Sequence, residues 1–339
     1  MSRISKLLII SSMLLVGCDQ KMPSLGEWNN IVVFSDDETW NDIGQTMRNV
    51  FERHLFTPQD ETVFNIYRPQ FDDFISYQRR RFVILAGTLD SQSQVSMYIG
   101  QIISPEVRQA IIAGEHIFSR ENEWANNQAV IFLIAPTQEE LHNSIMNNEE
   151  KLFRLIDESR NKYVEELMFA EAEQVEVAKQ LFEDYNFTLR VQHDYILKEA
   201  PEEKYIMLRR VKPDRLITVC WIDTTGVETV SGGWAFDKRN ELGSLIIENK
   251  AINAPYTTVK NTTFLDYFAV EIRGLWIDNV ENIGGPFVNY TFYDEKTGRI
   301  YMIDLLIFAP ELAAEKEPVI RQLEIIAKTF STTLPDNVQ

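Results

Sequence analysis

From Thr137 to Ala200 the chain contains neither proline nor glycine. Those two residues most readily end regular structure, so nothing built into this stretch stops a helix. Leu141, Ile145, Leu152, Ile156, Tyr163 and Leu167 recur in it at four- and seven-residue steps, the spacing of a buried helical stripe. Pro136 precedes the run, and Thr137 with Glu140 forms a capping box at its start. The spacing predicts one long amphipathic helix, or two end to end, over 137–185. Such a rod divides the chain into a part before and a part after. Its apolar stripe is expected to pack between those parts rather than to seat a coiled-coil partner.

The two parts differ in pattern. Before the rod, Asn30–Phe34 and Ala129–Ala135 read as short, continuously apolar strands, with further strands near Val63–Tyr67 and Arg81–Ala86. After the first of these, Ser35 or Asp36 caps a helix whose stripe is Trp40, Ile43, Met47, Val50 and Phe51. Apolar strands alternating with helices imply an α/β layer with at least part of its sheet parallel. Arg79-Arg80-Arg81 reads as a solvated helix end. After the rod, Asn186–Val191, Lys204–Arg210, Arg215–Asp223 and Phe268–Ile277 read as strands. A hairpin pairs Phe287–Tyr293 with Arg299–Phe308 across a turn containing Gly298. A closing helix over Lys316–Phe330 presents Val319, Ile320, Leu323, Ile326 and Ala327 on one face. That is a mainly antiparallel sheet backed by helices, so the chain reads as an α/β unit followed by an α+β unit. The expected boundaries are 28–136 for the first unit, 137–185 for the connecting helix and 186–332 for the second unit.

The N-terminus carries an address. Arg3 and Lys6 precede the apolar run Leu7–Val16, and Gly17-Cys18 follows it. Ten apolar residues are too few to span a bilayer, and the charged start with a small-residue end matches an export signal. A cysteine directly after Leu-Val-Gly marks a lipoprotein signal. Residues 1–17 are expected to be removed and Cys18 acylated, palmitate being one such chain, with 18–27 as a lipidated tether. Two or more acyl chains make a stable anchor where one alone is marginal. The expected location is the bacterial cell envelope, with the outer membrane favoured and the fold facing periplasm or surface.

Composition removes several functions. Formal charge is −18, and loss of residues 1–17 takes away Arg3 and Lys6 and no acid, leaving −20. Nucleic-acid binding depends on clustered Lys and Arg, so no nucleic-acid partner is expected. With Cys18 acylated, only Cys220 remains, so no internal disulfide can form. Cys220 lies in the strand-like run Leu216–Ile222 and reads as a core residue. His54, His116, His142 and His193 are scattered without metal-ligand spacing. No phosphate-cradling or nucleophile-elbow glycine motif occurs. Neither metal nor cofactor is expected, and no catalytic residues stand out. Ser231-Gly232-Gly233-Trp234 and Gly284-Gly285-Pro286-Phe287 read as tight turns.

Glu271-Ile272-Arg273-Gly274-Leu275-Trp276 followed by Ile283-Gly284-Gly285-Pro286-Phe287-Val288 carries a family likeness. So do Val32 to Trp40, Phe308-Ala309-Pro310 and Arg321 to Glu324. The chain resembles, over about residues 28–332, a family of uncharacterised lipoproteins common in Bacteroidetes and related bacteria, filed as a domain of unknown function. The resemblance implies an envelope lipoprotein and carries over no catalytic residues. The element order of the second half also looks like the PsbP-like sandwich, an analogy of fold alone.

If a binding site exists, the sequence places it at Arg273, Trp276, Gly284, Gly285, Pro286 and Phe287, since Arg and Trp are enriched in binding hot spots. The expected function is a non-catalytic binding or assembly module, lipid-anchored to the membrane and meeting an envelope protein partner. The alternatives are an envelope glycan or peptide hydrolase using unidentified carboxylates, and a carrier of a small hydrophobic ligand.

Overall fold

A computed structural model describes residues 21–55, 57–59, 61–224, 230–245, 250–312 and 316–334. The expected export signal and Cys18 lie outside these residues. Among the described residues no helix is long and apolar enough to cross a membrane.

The first unit is built on β1 (Asn30–Phe34), β2 (His54–Leu55), β3 (Glu61–Thr62), β4 (Asn65–Tyr67), β5 (Phe82–Thr88), β6 (Ile117–Glu121) and β7 (Ala129–Ala135). Its sheet runs β4-β1-β5-β7-β6, parallel except for the antiparallel edge strand β6. β2 and β3 form a separate short hairpin. Every residue of β5 and β7 is buried, as a parallel sheet covered on both faces requires. Helices α1 (Asp37–Phe51), α5 (Gln138–Asn147) and α6 (Glu149–Met168) cover one face, with Ile43, Met47, Leu141, Ile145, Leu152 and Ile156 packed against Ile31, Ile84 and Ile131. On the other face α2 (Phe74–Tyr77), α3 (Gln94–Ile102) and α4 (Pro105–Ile112) pack Phe74, Val95, Ile99 and Ile111 against Phe34, Leu85 and Phe132. The Asp36 carboxylate accepts the Thr39 N–H at 2.8 Å to cap α1.

The second unit comprises α7 (Val175–Tyr185), β8 (Ile196–Ala200), β9 (Tyr205–Arg210), β10 (Asp214–Asp223), α8 (Gly232–Leu245), β11 (Ala251–Phe264), β12 (Tyr267–Asp278), β13 (Ile283–Asp294), β14 (Arg299–Phe308) and α9 (Glu317–Ala327). Its antiparallel sheet runs β11-β12-β13-β14-β10-β9-β8. The face carrying Ile217, Ile303 and Leu305 is covered by α7 and α9 through Leu181, Leu323 and Ile326. The face carrying Ile272, Trp276, Phe287 and Leu306 is covered by α8 through Ala235 and Leu242. The chain is thus a mixed α/β unit followed by an antiparallel sheet with helices.

Four expectations change. The single rod over 137–185 is three helices. Asn148 leaves helical geometry (φ −127°, ψ 24°) and its side chain donates to the Ser144 carbonyl at 2.7 Å, which satisfies one acceptor freed by the break. The second break spans 169–174, with Ala172 at φ 51°. There Arg190 bridges Glu165 (2.9 Å) and Glu173 (2.7 Å) and lies 3.8 Å over the Phe169 ring. Absence of proline and glycine permits a continuous helix; packing α5 and α6 on one core and α7 on another accounts for the second break.

Asn186–Val191 belongs to no sheet, and Asn186 is the left-handed C-cap of α7 (φ 60°, ψ 30°). Phe187, Leu189 and Val191 alternate inward because the segment lies across the second sheet, and only Thr188 bridges, to Ser331. The alternation reports burial, not strand pairing.

Arg79-Arg80-Arg81 is not a solvated end. The Arg79 guanidinium donates to Pro23 O (3.1 Å), and Arg81 donates to Gly26 O (2.7 Å) and lies 3.7 Å over Trp28. With Ser24 N donating to Asn126 O at 2.8 Å, these contacts dock residues 23–26 on the first unit. That stretch of the expected tether is therefore part of the fold.

Neither glycine pair is a tight turn. Gly232 and Gly233 open α8, and Gly284 and Gly285 lie inside β13 opposite Ile277 and Trp276.

Candidate functional site

The six sequence-predicted binding residues do not share a surface. Arg273 and Trp276 point to opposite faces of β12, because side chains alternate along a strand. Trp276 is 1% exposed and donates its indole N–H to Ile307 O at 3.0 Å, reaching over β13 to β14. Gly285 permits this. A Cβ there would sit 2.1 Å from Ile307 O and 2.9 Å from the indole nitrogen. Pro286 falls just before pairing with β14 begins at Phe287, so its missing donor costs no ladder bond on that side. Phe287 is buried under the Arg239 guanidinium, 4.3 Å away. On the other face Arg273 pairs with Glu324 and approaches Glu271 (3.4 Å) and the Tyr290 hydroxyl (3.5 Å). Burial disfavours the Glu324 carboxylate, but Arg273 and Arg321 outweigh it and hold its pKa at about 2. These residues hold the second sheet together.

A second buried ion pair escaped the sequence reading. Arg239 on α8 and Asp304 on β14 are both wholly buried and joined by two hydrogen bonds of 3.1 and 3.3 Å. Asn289 donates to the same carboxylate at 3.1 Å, and Arg239 also donates to Lys250 O at 2.6 Å. This clamp fixes α8 to the sheet. Cys220, on the same face, is buried. Desolvation and the nearby Asp304 charge push its thiol well above the ordinary value, so it is a core residue with little thiolate character.

The two units meet through charge. Arg160 of α6, 1% exposed, contacts Asp157 (3.0 Å) and Glu317 of α9 (3.1 Å); Arg321 of α9 contacts the same two carboxylates at 2.9 and 3.0 Å. The Glu61 carboxylate accepts the Lys316 and Glu317 backbone N–H groups at 2.9 and 3.0 Å, which caps α9 from the first unit.

Beside this junction opens a cleft of about 670 Å³. Its wall combines Arg160, Arg210, Arg215 and Arg321 with the carboxylates Glu27 and Glu317, with Gln192 and Gln322, and with apolar Trp28, Val164, Met168 and Val319. Arg215 is 3% exposed; its Nη1 donates to Gln322 Oε1 at 2.8 Å, and its Nε has no hydrogen-bond partner in the protein. Burial, with the positive Arg210 nearby, lowers the Arg215 pKa from its ordinary value. Tyr195 beside it is pushed up to about 12 by burial. No sequence signal points to this cleft: its arginines are spread from Arg160 to Arg321, and only Arg321 lies in a segment that carries the family likeness.

One arrangement resembles catalytic machinery. His142 of α5 lies 3.1 Å from Asp42 and 3.5 Å from the Thr46 hydroxyl, both on α1. Thr46 sits in mid-helix, where neighbouring N–H groups are spent on helix bonds and none is free to form an oxyanion hole. Among the described residues no three or more His, Cys, Asp or Glu side chains converge as a metal would need.

Two families of unknown function match the chain. The profile of a domain of unknown function (DUF8532) matches residues 24–169 and that of another (DUF4837) matches residues 174–329. The matches abut at the break between α6 and α7, one per unit. No curated protein matches. Among solved structures, a point mutant of the protein Mog1 is similar at 11% identity, covering 45% of this chain and 94% of that one with a TM-score of 0.32. A likeness of that size carries no argument about fold or activity.

Proposed function

We propose that this chain is a lipid-anchored binding protein of a bacterial envelope, and that what it binds enters the cleft between its two units. The carrying observation is the cleft itself, a concave site of about 670 Å³ with buried guanidiniums set in apolar walls. Ligand sites favour domain junctions, and the volume lies in the small-molecule range. Its charged groups suit holding better than bond-making. Arginine keeps its proton throughout the physiological range, and Glu317 is already engaged by Arg160 and Arg321. The export signal ending at Cys18 and the lipoprotein resemblance support the location, with the outer membrane favoured. The hydrolase reading rests on Asp42, His142 and Thr46, and is weaker because nothing there stabilises an oxyanion.

The test is a photo-crosslinking amino acid at Leu167, an exposed residue of the cleft wall, in the native host. A control carries it at Met97, exposed on α3. Reproducible adducts at 167 and none at 97 are expected, together with release of a Cys18→Ala variant from the membrane fraction. Equal or absent capture at the two positions refutes the cleft, and membrane retention of Cys18→Ala refutes the anchor.

A further inference from the structure

Taking the cleft as the binding site, we infer that it receives an amphiphilic anion: an apolar body bearing one carboxylate or phosphate, with Arg215 as the head-group ligand. The argument begins with charge. Arg215 on β10 stands directly opposite Arg210 on β9, and directly opposed residues of antiparallel strands share a face, so like charges there repel. Arg210 is relieved by Asp194, and Arg160 and Arg321 by Asp157 and Glu317. Among the described residues no carboxylate forms an ion pair with Arg215. Its partner is the neutral Gln322 carboxamide, and its Nε is unpartnered although the residue is 3% exposed.

A buried cation without a counter-charge is costly, and most such groups escape by losing the proton. Arginine does not. A bound anion removes the repulsion and uses the free Nε, which together with an Nη presents the planar fork suited to carboxylate or phosphate. The molecule's overall charge of −18 does not oppose this at close range, because solvent salt screens beyond about 8 Å. The remaining wall asks for more than a bare anion. Trp28, Val164, Met168, Leu312 and Val319 offer apolar surface that only a ligand with a hydrophobic body would cover.

The experiment uses the full chain, purified in a non-ionic detergent, and photoreactive probes with one common alkyl tail. Their heads are carboxylate, phosphate or trimethylammonium. Labelling is read by peptide mapping, which separates cleft residues (164, 167, 168, 312 and 317–319) from labelling through the micelle. Expected is labelling of the cleft by one or both anionic probes about tenfold above the cationic probe, a ratio typical of a charge-assisted bond. The stronger of the two anions identifies the head group. Arg215→Met should abolish that preference while leaving the melting temperature unchanged or raised, since removing an uncompensated charge does not destabilise. Should Arg215→Met fail to fold, Arg215→Lys keeps the charge, and the wild-type probe series decides alone. Equal labelling by all three heads overturns the anion assignment while leaving a binding cleft. Absence of cleft labelling by every probe, with crosslinking at 167 still positive, overturns the amphiphilic-anion assignment and gives the cleft to another ligand class; absence of both overturns the binding reading itself.

Discussion

Replacing Arg239 by Met tests how the second unit is locked. Arg239 and Asp304 are both wholly buried, so the substitution leaves a carboxylate that keeps only the Asn289 hydrogen bond. Breaking one partner of a buried pair costs about 3–5 kcal/mol. For a unit of this size that is a melting shift of about 6–20 °C. Urea unfolding of wild type and variant at pH 7 reads the loss. Removing both charges, with Arg239→Met and Asp304→Leu together, should recover most of the loss. A single variant that loses less than about 1 kcal/mol at pH 7, or a double variant no more stable than the single one, refutes the reasoning.

Other outcomes follow from the same geometry. Glu324 has its pKa held at about 2, below the ordinary value of 4.5, so its stabilisation is complete above pH 4.5 and is lost as pH falls through 2. The shift corresponds to about 3 kcal/mol, and acid titration of wild type against Glu324→Gln should show the variant's stability curve flatter across that window. Gly285→Ala places a Cβ 2.1 Å from Ile307 O and must displace β14 or the Trp276 indole. A loss of about 1–3 kcal/mol with altered tryptophan fluorescence is expected, and unchanged urea midpoint and spectrum would contradict it.

Much of the secondary structure was legible because local pattern and burial agreed. Ile31–Phe34 and Ala129–Ala135 are apolar along their length because both faces are covered, and the Gly298 turn sets the β13–β14 hairpin. Edge elements were harder. β11 is long but mostly exposed, and β8 is short with no buried residue, so neither carries the apolar signature of a covered strand. α8 begins on two glycines that locally argue against a helix; its Arg239 anchor is visible only once β14 is beside it. The predicted binding cluster failed for a geometric reason, since residues 273 and 276 on one strand face opposite sides.

What the sequence determined by itself was the division into an α/β half and an antiparallel half, and the inward faces of most elements. Periodicity and short-range turn chemistry are properties of neighbouring residues, so a linear reading captures them. Tertiary structure alone decided that 137–185 breaks twice, that Trp276 is core, and that four arginines scattered between 160 and 321 line one cleft. The physical reason is that a helix break, a buried charge and a ligand site each depend on groups brought together by packing. Arg215 has no unusual neighbour in sequence; it becomes exceptional only when β9 sets Arg210 directly opposite it.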